Sequence, residues 1–184
     1  MSSTTDAVYI RPLKIEDAQV SYQWRNNPKI WRFTGFKPEK PITLEVETEW
    51  LAAVLKRENE RRFAICLEDN DRYIGNVFLT DLTPTEGILH TFIGEIEFWG
   101  KGRAGQAISQ LFDFGFKELN LERILTDIHV SNNGSLTLAN RLGMEKHSEF
   151  FDEKHKVNVI RFQLTRDMYT AEKHLEYFKA NNSW

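Results

Sequence analysis

At 184 residues, with 41% hydrophobic and 28% charged side chains, the chain is long enough to bury one full core, and its composition excludes a disordered polymer. A net charge of −3 argues against a general nucleic-acid or anionic-membrane binder, which needs a basic excess. The single cysteine, Cys66, excludes an internal disulfide and a cysteine-based metal cluster.

In chain order, Met1 to Ala7 is polar and lacks the basic and apolar regions of a signal peptide, and no apolar run reaches the roughly 20 residues of a membrane span. A soluble, cytoplasmic protein is expected. Tyr9 to Leu13 predicts a short strand, and Ile15 to Asn26 a helix with Glu16 and Asp17 at its positive end. Asn26-Asn27-Pro28 breaks that helix, and Ile30 to Pro41 predicts an irregular loop carrying Trp31, Phe33 and Phe36. Thr43 is a good N-cap for a second helix reaching about Asn59.

Arg62 to Glu68 and Tyr73 to Leu82 flank the turn Asp69-Asn70-Asp71 and predict a hairpin. Cys66 lies in its apolar run Phe63 to Leu67, where a buried thiol is expected rather than a nucleophile. Ile88 to Phe98 predicts a strand bent near Gly94, a bulge or a close backbone approach. Ala104, Ile108, Leu111, Phe112, Gly115 and Leu119 form one stripe at helical spacing. Arg123 to Val130 then predicts a strand, Ser135 to Leu142 a short helix, and Glu145 to Phe151 and Val157 to Thr165 two late strands. The pattern is that of a mixed α/β sandwich. A single domain over residues 1–184 is expected, with a core at about 8–166 and a terminal helix at about 167–181.

The segment with chemical promise is Trp99-Gly100-Lys101-Gly102-Arg103-Ala104-Gly105-Gln106, between a strand and the start of the strongest helix. Its glycines allow a sharp turn and a close backbone approach. The first N–H groups of a helix lack intrahelical partners, so the segment suits an anion such as a pyrophosphate. A tight strand-to-helix connection with no ligand is the plainer alternative. Neither G-x-x-x-x-G-K-[ST] nor G-x-G-x-x-G fits, since Gly105 falls one position early for the latter.

Trp99-x-x-Gly102-x-Ala104 resembles the Q/R-x-x-G-x-G/A acetyl-CoA motif of the GNAT superfamily, in the W-G-K-G-x-A form of RimJ/RimL-like members. Asn132-Asn133-Gly134-Ser135, followed by Asn140-Arg141-Leu142-Gly143-Met144, is similar to that family's N-x-x-S…K-L-G-F. Ile10-Arg11-Pro12-Leu13 with Asp17, Trp24-Arg25-Asn26, and Ile74-Gly75-Asn76 extend the resemblance over roughly residues 8–166. It implies a GNAT-type central sheet of about seven strands flanked by helices, with a splayed parallel pair holding acetyl-CoA as co-substrate. It further implies phosphate contacts from backbone groups of about Lys101 to Gln106 and pantetheine contacts from backbone near Gly94 to Ile96. Asn132 matches the family residue that bonds the pantetheine arm, and Asn140 and Arg141 lie within reach of it.

Acetyl transfer to an amine requires a neutral amine, a stabilised oxyanion and a protonated leaving thiolate. Where many of these enzymes carry a tyrosine acid, this chain has Ala139, so Ser135 becomes the candidate, with a helix N-cap as its other reading. His90 is the candidate base, or else a plain strand histidine. Glu95, Glu97, Glu47, Glu49, His147 and His155 are alternatives, and no helical pair of metal-ligand type is present, so no metal is expected. Trp31 and Phe33 would shape the acceptor wall or simply fill the core.

An N-acetyltransferase acting on a primary amine, of a small molecule or a protein N-terminus, is the leading expectation. Val159-Ile160-Arg161-Phe162 is faintly similar to aminosugar N-acetyltransferases of surface-glycan pathways. A non-catalytic acyl-CoA sensor is a second class, and an RNA-binding accessory domain, disfavoured by the negative charge, a third. No nucleic-acid or membrane partner is expected. The last helix, with Leu175, Tyr177 and Phe178, would pack on its own domain or in a homodimer.

Overall fold

The computed structural model describes residues 7–34 and 36–169. The terminal helix expected at about 167–181 lies outside them beyond Tyr169. The strands are β1 (Val8–Pro12), β2 (Arg61–Leu67), β3 (Tyr73–Thr80), β4 (Glu86–Ile93), β5 (Arg123–His129), β6 (Glu145–Asp152) and β7 (Val157–Thr165). The helices are α1 (Ala18–Arg25), α2 (Leu44–Val54), α3 (Arg103–Asp113) and α4 (Asn133–Arg141). One seven-stranded sheet runs in the order β1-β2-β3-β4-β5-β7-β6. Every neighbouring pair is antiparallel except β4 and β5.

Alternation along the strands decides which layer each residue feeds. On β2, Ala64 and Cys66 join Trp24, Leu51 and Val54 beneath α1 and α2, while Ile65 and Leu67 face the cluster built on α3 and α4. That second layer holds Ala107, Ile108, Leu111 and Phe112 of α3 with Ala139 of α4, so the stripe read from the sequence is the buried face of α3 as far as Phe112, while Gly115 falls in the π-helical turn Phe114–Glu118 and Leu119 follows it. Each fully buried Leu, Ile or Phe there contributes roughly 1.5–3 kcal/mol. Cys66 is buried, and burial raises its thiol pKa, which keeps it protonated and inert.

Three local expectations are corrected. The first helix begins as a 3-10 turn at Ile15–Asp17, because the buried Asp17 carboxylate is spent on the Lys14 N–H at 2.8 Å and on Arg11 at 2.7 and 2.9 Å. Thr43 does cap α2, its hydroxyl oxygen accepting from Val46 N–H at 3.3 Å, but the helix stops at Val54. The strand expected through Phe98 ends at Ile93, and a 3-10 turn at Ile96–Phe98 follows. Gly94 is both a bulge and a close approach: its N–H and that of Glu95 donate to the one Ile74 carbonyl, at 2.8 and 3.3 Å, and a Cβ there would lie 2.0 Å from the Trp24 ring.

The parallel contact that positions the site is short. β4 and β5 pair only over Glu86↔Arg123, Gly87↔Ile124 and Ile88↔Leu125. The Thr126 hydroxyl then donates to the Leu89 carbonyl at 3.1 Å, and beyond it the strands diverge with no further pairing.

Candidate active site

The opening between β4 and β5 is continuous with a cleft of about 1020 Å³, bounded by Phe98 to Gly105 on one side and by Asn132 to Ser135 on the other. A smaller chamber of about 260 Å³ lies against it, lined by Trp31, Phe33, Phe78, His90, Asp127 and His129 among others. Thr91, Phe92, Asn132, Ser135 and Leu138 line both, so the two spaces meet there.

At the mouth, Gly100 and Gly102 both take φ of 72°, the left-handed region that glycine enters without penalty. Gly102 is the N-cap of α3, and Gln106 N–H makes the first intrahelical bond to its carbonyl at 3.1 Å. The N–H groups of Ala104 and Gly105, in the first turn, therefore have no carbonyl partner within the helix. With the positive end of the dipole and Lys29, Arg32, Lys101 and Arg141 around the cleft, this mouth favours an anion.

Not every residue of the predicted cradle faces it with its side chain. Trp99 is exposed and donates its indole N–H to the Ile93 carbonyl at 2.8 Å, tying the turn to the end of β4. Arg103 is buried with its guanidinium over the Phe98 ring, at 4.7 Å. Gln106 is turned away altogether: its Oε1 accepts from Val8 N–H of β1 at 3.1 Å. Asn140 lies outside both spaces and donates to the Leu136 carbonyl at 3.0 Å, whereas its neighbour Arg141 lines the large cleft.

The backbone groups expected near Gly94 to Ile96 are also partly occupied, since Gly94 and Glu95 N–H both donate to the Ile74 carbonyl. Alternation along β4 turns the groups of Leu89, Thr91 and Ile93 toward β5 instead. The carbonyls of Leu89 and Ile93 are met by Thr126 and Trp99, which leaves the N–H and C=O of Thr91 and the N–H of Ile93 facing the gap. Nothing in the sequence singles out Thr91, which lines both spaces; its position follows only from the alternation of β4.

Asn132 rather than Ser135 caps α4. Its Oδ1 accepts from Ser135 N–H at 3.2 Å, and its amide NH2 is left for the cleft. Ser135 is half-buried where the two spaces meet, one turn before the buried Ala139.

In the chamber, His90 is half-buried, its ring stacked on Phe78 at 5.0 Å. Burial, and then the positive charge of Arg62, lower its pKa to about 4, so it is a neutral imidazole at neutral pH. Trp31 packs on Phe92 at 4.9 Å and donates its indole N–H to the Trp24 carbonyl at 2.8 Å, so it is both wall and scaffold. Phe33 stands 5.8 Å from the His129 ring. Asp127 is held bidentately by Arg161 at 2.7 Å.

The other acid–base alternatives sit elsewhere. Glu95 accepts from the Trp24 indole and pairs with Arg72, which also holds Glu97. Buried Glu47 accepts from the Ser21 hydroxyl at 2.7 Å, and His155 pairs with Asp152 at 2.7 Å. None of these, nor Glu49 or His147, lines either space.

Residues 7–145 match the family model described as an acetyltransferase (GNAT) domain. Among curated proteins, the chain is 28% identical to the uncharacterized N-acetyltransferase p20 of Bacillus licheniformis, over 91% of this chain and 97% of the other. It is also 28% identical to spermidine N(1)-acetyltransferase of Escherichia coli K12, over 90% of each chain. Its fold matches the crystal structure of Vibrio cholerae spermidine N-acetyltransferase in complex with CoA and spermine, with a TM-score of 0.78 at 22% identity, over 90% and 99% of the two chains. The chain belongs to the GNAT acetyltransferase family, whose acyl donor is acetyl-CoA, and is an acyl-CoA:amine N-acetyltransferase.

Proposed function

We propose that the large cleft takes acetyl-CoA and the small chamber the amine, and that acetyl transfer occurs by direct attack where they meet. The observation that carries this reading is the junction itself: Ser135, Asn132 and Thr91 line both spaces. The residues fit the donor. Ala104 and Gly105 N–H groups, with Lys101 close by, would hold the pyrophosphate, and the Asn132 amide and the Thr91 carbonyl the pantetheine arm. Acetyl-CoA supplies an acetyl thioester at the junction; the protein supplies orientation and proton management.

In this reading the Thr91 N–H is the preorganised donor for the oxyanion. Ser135 Oγ passes its proton to the departing thiolate and takes one back from solvent, and neutral His90 accepts the proton that the amine nitrogen loses. Trp31, Phe33 and Phe92 exclude water and flank the acceptor's body. The W-G-K-G run with Ser135 supports the RimJ/RimL-like form of the site.

The acceptor is a primary monoamine with an apolar flank, of a small molecule or a protein N-terminus. Among the described lining residues Asp127 is the sole carboxylate, and Arg161 offsets its charge. A polycation needs several unpaired acids. The second reading, a polyamine acceptor, is favoured by the likeness to spermidine N(1)-acetyltransferase. Thiol release from acetyl-CoA over a panel of N-terminal peptides, aminosugars, aryl-alkyl amines and spermidine decides the matter. Turnover of a monoamine with spermidine inert is expected. Preference for spermidine would replace the acceptor assignment, and bound acetyl-CoA without release for any amine would make the protein a sensor.

A further inference from the structure

His90 Nε2 lies 2.9 Å from the Thr80 hydroxyl oxygen, and that hydroxyl lies 2.9 Å from Asp81 Oδ2. The proton count settles the direction of both bonds. A threonine hydroxyl has one hydrogen, and an ionised carboxylate can only accept. The Thr80 hydrogen is therefore donated to Asp81, and its lone pair accepts from His90, so Nε2 must carry the ring hydrogen. Nδ1 then carries the lone pair and is the nitrogen left for the chamber that His90 lines.

Two further features hold this arrangement. Asp81 takes φ of 50°, a left-handed conformation unusual for a residue with a side chain, immediately after β3 ends. The next residue, Leu82, anchors the turn by donating its N–H to the Asn59 carbonyl at 3.0 Å. On the ring's other side Phe78 stacks at an interplanar angle of 16°, and Arg62 lies over Phe78 at 4.2 Å, itself tied to Glu60 at 2.7 Å. The charged groups around His90 are thus Arg62 on β2, Glu60 just before it, Asp81 after β3 and Asp127 on β5.

We propose that Thr80 and Asp81 are positioning residues that fix His90 as its Nε2–H tautomer, so that Nδ1 accepts the proton from the attacking amine. The N–H bond of the amine breaks as the N–C bond to the acetyl group forms, and the proton lands on Nδ1. The resulting imidazolium keeps its Nε2–H bond to Thr80 and returns the Nδ1 proton to solvent through the open cleft. The proposal rests on the reading of His90 as the base, but the tautomer is measurable without any turnover.

Long-range proton–nitrogen correlation spectra of the full-length, 15N-labelled protein at neutral pH read each imidazole directly, with His90→Gln identifying the His90 signals. The expected result is one tautomer for His90, with a protonated Nε2 and a lone-pair Nδ1. In Asp81→Ala the Thr80 hydroxyl is released to donate to Nε2, so an Nδ1–H population should appear and kcat should fall while KM for acetyl-CoA holds. Asp81→Asn, whose amide oxygen still accepts, and Thr80→Ser should both retain the wild-type tautomer. A predominantly Nδ1–H His90 in the wild type, or an Asp81→Ala spectrum identical to it, overturns the proposal. Normal turnover in His90→Gln would instead remove the base reading and leave the tautomer result standing.

Discussion

Cap and acid, the two roles open to Ser135, separate in the structure. The capping oxygen belongs to Asn132, and Ser135 contributes only its backbone N–H to that bond. Its hydroxyl is therefore not committed to holding α4. Ser135→Ala should lower kcat about 10²- to 10⁴-fold, the scale of general acid–base help, with the melting temperature unmoved. Asn132→Ala should cost about 1 kcal/mol, roughly 2–4 °C in a domain of this size, and also weaken acetyl-CoA binding. Steady-state rates and melting curves on the two variants check this. A Ser135→Ala enzyme that turns over normally would assign the thiolate's proton to solvent or substrate.

At the scale of elements, α3 does more than point its start at the cleft. Gln106 Oε1 accepts from Val8 N–H, Gln110 Oε1 accepts from Ile10 N–H at 3.0 Å, and Gln110 Nε2 donates to the Val8 carbonyl at 2.8 Å. These three bonds cover the outer edge of β1, which would otherwise offer unpaired backbone to another chain. Replacing both glutamines by alanine should cost about 2–4 kcal/mol, at roughly 1 kcal/mol per bond, and leave acetyl-CoA affinity unchanged. Denaturant unfolding with calorimetry on the same variant tests both halves; lost affinity in a stable protein would return Gln106 to the cradle.

The buried stripe of α3 and the β2–β3 hairpin were legible because their signals are local and periodic. The role of Gln106 was not, since its partner Val8 stands 98 residues away. Gly94 announced a close approach, but nothing near it in sequence named Trp24 as the neighbour. The end of β4 was overrun because Glu95 and Glu97 continue the strand's alternation; their charges are in fact drawn to Arg72. Asn132 and Ser135 were singled out by the motif resemblance and His90 by its side-chain chemistry, whereas the proposed part of Thr91 lies in backbone that every residue possesses.

At the scale of the whole molecule, one short parallel contact inside an otherwise antiparallel sheet creates the site. Three paired residues hold β4 and β5 together at one end, and their divergence opens a slot through the sheet between its two helical layers. The slot joins a basic mouth at α3 to an aromatic chamber lined by Trp31 and Phe33 of the segment after α1; in the proposed reading the polyanionic donor takes the first and the amine the second. The central claim is that the donor's phosphates rest on the first turn of α3, and calorimetric titration of acetyl-CoA into wild type and Ala104→Glu measures it most directly. A carboxylate in the first turn suits the helix dipole, but Ala104 is half-buried against the core, so circular dichroism and a melting curve establish that the variant is folded before affinities are compared. The account predicts a micromolar dissociation constant for the wild type, on the order of −7 to −8 kcal/mol, and no measurable binding to the variant. Unchanged affinity in a folded Ala104→Glu protein would contradict it.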